Sequence, residues 1–281
     1  MGRILIIISM LWIGGMMSCP ESRSEDLVPV PWTGKFPVLA IAHRGFSGTA
    51  PENTLAAFKR AMDVGSDMIE LDVHLSRDGH VVVIHDDTLK RTTTGVGKVV
   101  DFSLQELKQL DAGKWFGPRF SGEKIPTLKE VLELTRGKIP VHIELKEGDL
   151  GRYTVTDLAD RSLEEVEKAG MLEQVLFGSF SLSAVDRIRE KHPRLPVALI
   201  CNKPWNLSQD ATGGRPIPII SSSGKVLNPT NAAKARRQGM KVFVWTLDME
   251  EQIEHFLNVG VDGIITNHPD RLIRILQKRS K

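Results

Sequence analysis

Cysteine is almost missing from this chain. There are two, Cys19 and Cys201, with no CxxC pair, which excludes a disulfide scaffold and gives no thiolate metal site. Net charge is nearly missing too: 37 Lys and Arg against 35 Asp and Glu leave a formal +2, without the concentrated basic excess of a nucleic-acid binder. Aromatic residues make up only 6%. The N-terminal apolar run, Ile4 to Met17, is 14 residues, short of the ~20 that span a bilayer comfortably. What remains is 41% hydrophobic and 26% charged over 281 residues, the composition of an ordinary globular protein. That length suggests two domains, yet α/β barrels use ~250 residues as one.

The first 19 residues combine Arg3, the apolar run and small residues near its end, which fits a secretory signal. Met16-Met17-Ser18-Cys19 also resembles a bacterial lipoprotein signal whose cysteine is acylated, with Met16 where Leu is usual. A cleaved signal, a lipid anchor on Cys19 and an uncleaved anchor all stay open, and each implies an exported protein, secreted, periplasmic or membrane-tethered. Residues 20–37 carry Pro29, Pro31 and Pro37 and read as a linker. The domain proper is expected over 38–281.

From Val38 onward, short apolar runs alternate with amphipathic segments, the pattern of βαβ units. Strands are expected at 38–42, 67–73, 80–85, 139–145, 174–178, 196–200, 217–221, 241–246 and 262–266. Helices are expected near 52–64, 127–135, 154–169, 182–191, 228–238, 249–258 and 269–279, with a weak one at 203–211. The gap before Val81 is too short for a parallel crossover, and Asp78-Gly79 within it is a hairpin signal. So 80–85 should return antiparallel, placing His85 roughly across from Asp72. Eight strands then remain, which predicts a (β/α)8 barrel. Residues 86–126 form an unusually long connection, read as a small insertion subdomain after the second strand whose aromatics line a cleft or pack it onto the barrel.

Strand side chains alternate faces. Ile69, Leu71 and Val73 share one face and Glu70 and Asp72 the other; Val141, Ile143 and Leu145 oppose His142, Glu144 and Lys146. With helices covering the outside, the polar set points inward near the C-terminal strand ends, where barrel active sites lie. Three inward carboxylates repel one another. Protonation resolves this, as does a hard cation such as Mg²⁺ or Ca²⁺ or an ion-pair network using Arg44 and Lys146. His43 and His85 flank the same region and suit a general acid and base. Arg44 suits a phosphate oxygen or a carboxylate partner. Pro51-Glu52-Asn53-Thr54 looks like a helix start, in which Glu52 favours the helix dipole or orders the His43 loop.

His43-Arg44-Gly45, Glu52-Asn53-Thr54, Glu70-Leu71-Asp72-Val73, His85-Asp86 and Arg91-Thr92-Thr93, in this order, resemble glycerophosphodiester phosphodiesterases. So do Ile125-Pro126-Thr127-Leu128, Glu144-Leu145-Lys146, Ser179-Phe180, Val244-Trp245-Thr246 and the run Gly260 to Thr266. The resemblance implies a TIM barrel with one divalent cation, Mg²⁺ or Ca²⁺, on Glu70, Asp72 and Glu144. It implies His43 and His85 as acid and base, phosphate held by Arg44 and Lys146, Trp245 as an apolar wall against glycerol, and Glu52 and Asn53 in support. The expected reaction cleaves small glycerophosphodiesters, such as glycerophosphocholine and glycerophosphoethanolamine, to sn-glycerol 3-phosphate and an alcohol. Membrane association would run through the N-terminal segment or acylated Cys19. Two rivals remain: a lysophospholipase D with an apolar groove near Phe116, Phe180 or Trp205, and a non-catalytic surface lipoprotein.

Overall fold

A computed structural model describes residues 31–203 and 217–281. In chain order the elements are β1 (Leu39–Ala42), α1 (Leu55–Asp63), β2 (Met68–Leu75), β3 (Val81–Val83), α2 (Leu104–Leu107), α3 (Leu128–Thr135), β4 (Val141–Leu145), α4 (Val155–Ala169), β5 (Val175–Ser179) and α5 (Leu182–Lys191). They continue with β6 (Val197–Cys201), β7 (Ile219–Ser223), α6 (Pro229–Arg237), β8 (Lys241–Trp245), α7 (Glu250–Val259), β9 (Gly263–Thr266) and α8 (Pro269–Arg279).

Eight of the strands run parallel in the order β1-β9-β8-β7-β6-β5-β4-β2, and β1 also pairs with β2, closing the barrel. Closure removes the open edges that a flat sheet would expose. The alternation read from the sequence sets the two faces. Ile69, Leu71, Val73, Val141, Ile143 and Leu145 point outward into a buried cluster with helix residues such as Leu128, Leu132 and Leu158. Leu39, Ile41, Met68, Leu176, Ala198, Ile219, Phe243 and Ile265 fill the interior. Burying each larger one of these contributes roughly 1.5–3 kcal/mol. Helix starts are set by side chains: Thr127 with Glu130, Thr154 with Asp157 and Asn228 with Asn231 each form a capping box, satisfying backbone N–H groups that the first turn leaves free.

β3 lies antiparallel on β2 outside the barrel, as the Asp78-Gly79 turn predicts. Its register corrects one expectation. Val73 pairs with Val83, and the Ile84 N–H donates to the Asp72 carbonyl at 3.0 Å. Ile84, rather than His85, is therefore opposite Asp72: the tight turn, closed by Gly79 N–H on the Ser76 carbonyl, folds the chain symmetrically about Asp78. His85 lies one residue past that pairing. β7 begins two residues later than expected, an even shift that leaves its inward face unchanged. The helix expected from residue 52 starts at Leu55, where Thr54 caps it, so Glu52 and Asn53 belong to the preceding turn.

The insertion builds a small core of its own from Leu89, Val99, Leu107, Ala112 and Ile125 against Val82 and Ile84. Its aromatics pack it onto the barrel: Phe116 meets Phe120 edge to face at 5.5 Å, and the Arg60 guanidinium of α1 lies 5.3 Å from the Phe120 ring centre. At the opposite end, Trp32 packs against the interior cluster and donates to the Glu173 carbonyl, so residues from the end of the expected linker lie under the barrel. The signal or anchor segment 1–19, the weak helix expected at 203–211 beyond Lys203, and Trp205 fall outside the described residues. Among the described residues, no helix is long and apolar enough to cross a membrane.

Candidate active site

Asp72 and Glu144 are direct neighbours in the β2–β4 ladder, with Glu70 beside His142 one inward step deeper. Glu70, Asp72 and Glu144 each bring a carboxylate oxygen within 4.8 Å of the others. Burial and mutual repulsion make this costly. Burial, with Asp72 and Glu144 alongside, pushes the Glu70 carboxyl well above the usual range. Burial and Asp72 push Glu144 up to about 7. Asp72 behaves differently: burial would raise it, but Arg44, Lys146 and His85 outweigh that and hold it below the usual carboxylate range. One of its oxygens, Oδ1, has no hydrogen-bond partner among the described residues. Two carboxyls held above their ordinary range and an Asp72 oxygen without a hydrogen bond, all hard donors, fit a divalent cation of the Mg²⁺ or Ca²⁺ kind.

Arg44 and Lys146 border this trio. Arg44 donates its backbone N–H to Glu70 at 2.8 Å and its Nη1–H to Glu52 at 2.8 Å, while Nε stands 3.3 Å from Asp72. Lys146 Nζ is 2.7 Å from Glu144 and 3.5 Å from Asp72. The ion-pair network read from the sequence is therefore present, and the same two cations line the cavity where an anion could join them. Asn53 clasps Asp72 twice, through its amide on Oδ2 at 2.8 Å and through its oxygen on the Asp72 N–H at 3.3 Å. Arg44 and Asn53 reach these positions with left-handed backbones, φ 55° and 57°. Such conformations cost energy in non-glycine residues and mark places the surroundings over-determine. Gly45, at φ 79°, lets the turn press on Ala57, where a Cβ would come within 2.7 Å of backbone.

The two histidines face the cavity from different supports. His43 Nδ1 meets Asn267 Oδ1 at 2.7 Å, and Asn267 in turn donates its amide to Asp248 Oδ2 at 2.7 Å. Since the amide nitrogen is committed to a carboxylate, the Asn267 oxygen must accept, so His43 carries its proton on Nδ1 and leaves Nε2 unprotonated, 4.0 Å from Glu70 Oε2. Burial, reinforced by Arg44, pushes His43 down to about 4. His85 Nδ1 lies 2.6 Å from Asp86. Arg91 grips both Asp86 and Glu52 with paired bonds of 2.6–2.9 Å. Burial lowers His85 as well, with Asp72 and its Asp86 bond opposing.

His43, Arg44, Glu70, His85, Glu144, Lys146 and Trp245 line one cavity of about 170 Å³ at the C-terminal end of the barrel. Asp72 lies buried beneath it, and Glu52 and Asn53 stand behind Arg44 and Asp72. Phe180, packed edge to face on Trp245 at 6.0 Å, extends the apolar wall. Phe116 packs with Ala50, Ala57 and Phe120 instead. The sequence reading missed Asn267 and Asp248. The available signal was phase: Asn267 continues the inward positions Gly263 and Ile265 just past β9.

Residues 43–271 match the sequence model of the glycerophosphoryl diester phosphodiesterase family. A glycerophosphodiester phosphodiesterase of Caldanaerobacter subterraneus subsp. tengcongensis is 41% identical over 245 residues, 85% of this chain and 98% of the relative. One from Bacillus subtilis is 33% identical over 83% of this chain and 84% of its own length. Among solved structures, an Oleispira antarctica phosphodiesterase in complex with the product sn-glycerol-3-phosphate superposes with a TM-score of 0.79 at 30% identity, covering 86% of this chain and 97% of that one. With its parallel barrel, its insertion after β2 and its acidic mouth, this chain belongs to the glycerophosphoryl diester phosphodiesterase family.

Proposed function

We propose that this phosphodiesterase is an exported, divalent-metal-dependent enzyme that hydrolyses small glycerophosphodiesters, glycerophosphocholine and glycerophosphoethanolamine among them, to sn-glycerol 3-phosphate and an alcohol. The observation that carries the metal and the chemistry is the trio of Glu70, Asp72 and Glu144 within 4.8 Å, flanked by His43 and His85 at one cavity with Arg44 and Lys146. Export rests on the N-terminal run of residues 1–19.

A cation held by Glu70, Asp72 and Glu144 would neutralise the phosphodiester and stabilise charge building on its oxygens. Arg44 and Lys146 would hold the phosphate from the side through charge-assisted hydrogen bonds. His43, neutral at pH 7 with Nε2 unprotonated, would take the proton from the attacking hydroxyl, either water or the glycerol hydroxyl next to the phosphate, the latter giving a cyclic phosphate that water then opens to sn-glycerol 3-phosphate. His85, whose Asp86 partner supports the protonated ring, would give a proton to the departing alcohol. Trp245 and Phe180 would face the carbon skeleton.

A lysophospholipase D reading has one observation in its favour: Phe180 and Ile200 also border a groove with Leu182, Leu199 and Cys201, which could take an acyl chain. Protein stripped with EDTA and supplied with Mg²⁺ or Ca²⁺ separates the two. The expected outcome is metal-dependent release of glycerol 3-phosphate from glycerophosphocholine. Choline released from lysophosphatidylcholine alone would move the substrate to lysolipids, and silence on both would leave the barrel a binding module.

A further inference from the structure

Two polar side chains lie beneath the catalytic groups without a role in that scheme. His142 projects inward from β4, paired in the ladder with Glu70 on one side and Leu176 on the other. Ser221 projects inward from β7, between Ile200 and Phe243. Each is only 1% exposed, and both line the same cavity as the catalytic residues. Among the described residues, neither ring nitrogen of His142 nor the Ser221 hydroxyl has a hydrogen-bond partner. Each such group is desolvated without compensation, and the neighbouring interior positions, Ile41, Met68, Leu176, Ile219 and Phe243, are apolar. Gly178 belongs to the same arrangement: a Cβ there would collide with His142 Nε2 and come within 3.2 Å of Ile200, so glycine keeps room for the ring.

The chemistry of the pair narrows what it takes. Both ring nitrogens of His142 stand unpaired at the cavity, and an imidazole offers one donor and one acceptor, as a serine hydroxyl also offers both. A phosphate asks for donors and positive charge, which Arg44 and Lys146 supply nearer the mouth. A hydrocarbon asks for neither. A neutral alcohol hydroxyl matches both groups. Depth narrows it further: His142 pairs at the level of Glu70, one inward step below Asp72 and Glu144. With the phosphate held above, only a small group fits below, while the larger alcohol must leave through the mouth.

We propose that His142 and Ser221 form a hydroxyl-reading floor that hydrogen-bonds the terminal hydroxyl of the glycerol moiety and selects glycerol diesters over those of deoxygenated analogues. This rests on the phosphodiesterase reading above. The site's unpaired groups would then discriminate against a substrate lacking that hydroxyl, because they stay unpaired when it binds.

The test compares two substrates with the full chain: glycerophosphocholine, and 2-hydroxypropyl phosphocholine, which lacks only the terminal hydroxyl. Wild type should prefer the glycerol diester by about 10- to 100-fold in kcat/KM. His142→Phe keeps the ring volume without the nitrogens, and Ser221→Ala removes one oxygen, so at least the second should fold; thermal unfolding checks both. Each should lose rate on the glycerol diester alone, moving the ratio toward one. Equal losses on both substrates, no loss on either, or a wild-type ratio near one would overturn the floor while leaving the phosphodiesterase intact. A wild type silent on both diesters with either metal would overturn the parent reading and this inference with it.

Discussion

His43 and His85 meet at one cavity, but the regions that hold them are built from different materials. Around β1 and β9 the support is a buried relay: a neutral amide, Asn267, bonds the ring and is itself fixed by Asp248. Around β3 and the insertion it is an ion lattice, Asp86–Arg91–Glu52–Arg44, with Arg91 44% exposed. An amide fixes tautomer and direction and favours the charged ring through its hydrogen bond alone. A carboxylate adds its charge, which also stabilises imidazolium. Under the proposed function the difference matches a division of labour, His43 accepting a proton while neutral and His85 donating one with Asp86 opposing the burial that lowers its ring. It also ties His85, but not His43, to the docking of the insertion.

The largest effects should come from the rings. His43→Ala and His85→Ala are each expected to lower kcat by about 10²–10⁴-fold with smaller changes in KM, since positioned proton transfer typically contributes that much. Steady-state kinetics check this, and a near-wild-type rate for either variant would remove that ring from catalysis. The supports come next. Asn267→Ala and Asp86→Asn should each cost on the order of 10–100-fold, the range for residues that orient active groups. The comparison predicts different signatures: Asp86→Asn keeps a hydrogen-bond acceptor and loses the charge, so the alkaline limb of kcat should move to lower pH. Asn267→Ala should leave that limb in place and show a mixed His43 tautomer by ring ¹⁵N NMR. Identical pH profiles for the two variants would break the distinction between amide and carboxylate.

The two regions also differ in how far the sequence alone reveals them. Period-two alternation was enough to place Glu70, Asp72, Glu144 and Lys146 on the inner face, because one buried face leaves little choice of register. The Asp78-Gly79 turn was enough to bring His85 alongside β2, though one residue off. Strand phase could place Asn267 on the inner face, but nothing local announces its relay with Asp248. His43 and Asn267 are 224 positions apart, and they meet only because β1 pairs with β9 when the barrel closes. Glu52 was legible as a polar residue before a helix, but its partners Arg44 and Arg91 come from separate loops. Local pattern thus reveals which side chains face inward, whereas contacts made by closure need the assembled barrel.

Between the two histidines the carboxylates give a prediction of their own. In the metal-free fold Glu144 keeps its proton up to about 7, against an ordinary 4.5, and Glu70 is raised as well. At these carboxyls the folded state then binds more protons than the unfolded chain, a contribution that falls as pH rises through the interval. His43 and His142, pushed down to about 4, contribute in the opposite sense, so the carboxyl part is read as the difference between wild type and Glu144→Gln. Added Mg²⁺ or Ca²⁺ competes with those protons, and its stabilisation should grow over the same range. Thermal melts of EDTA-treated protein at pH 5.5 and 7.5, with and without metal, measure both trends. A metal shift independent of pH would mean that the trio is not where the cation binds. Glu144→Gln should weaken metal affinity and flatten both trends.

The smallest expected effect tests how far the insertion contributes beyond its ion lattice. Trp115 is 43% exposed, packs edge to face on Phe116 at 5.5 Å and donates its N–H to the Ala112 carbonyl. It lies off the catalytic cavity, so Trp115→Ala should leave kcat and KM near wild type. The lost ring contact should cost about 0.5–1.5 kcal/mol of stability at most, readable in a chemical melt. Arg91→Gln, by contrast, removes the cation joining Asp86 to Glu52 and should lower kcat without a comparable loss of stability, because exposed pairs contribute little to folding. A Trp115 variant that slowed turnover as much as the Arg91 variant would show that the insertion acts on His85 through its packing as a whole, rather than through the Asp86–Arg91–Glu52 link alone.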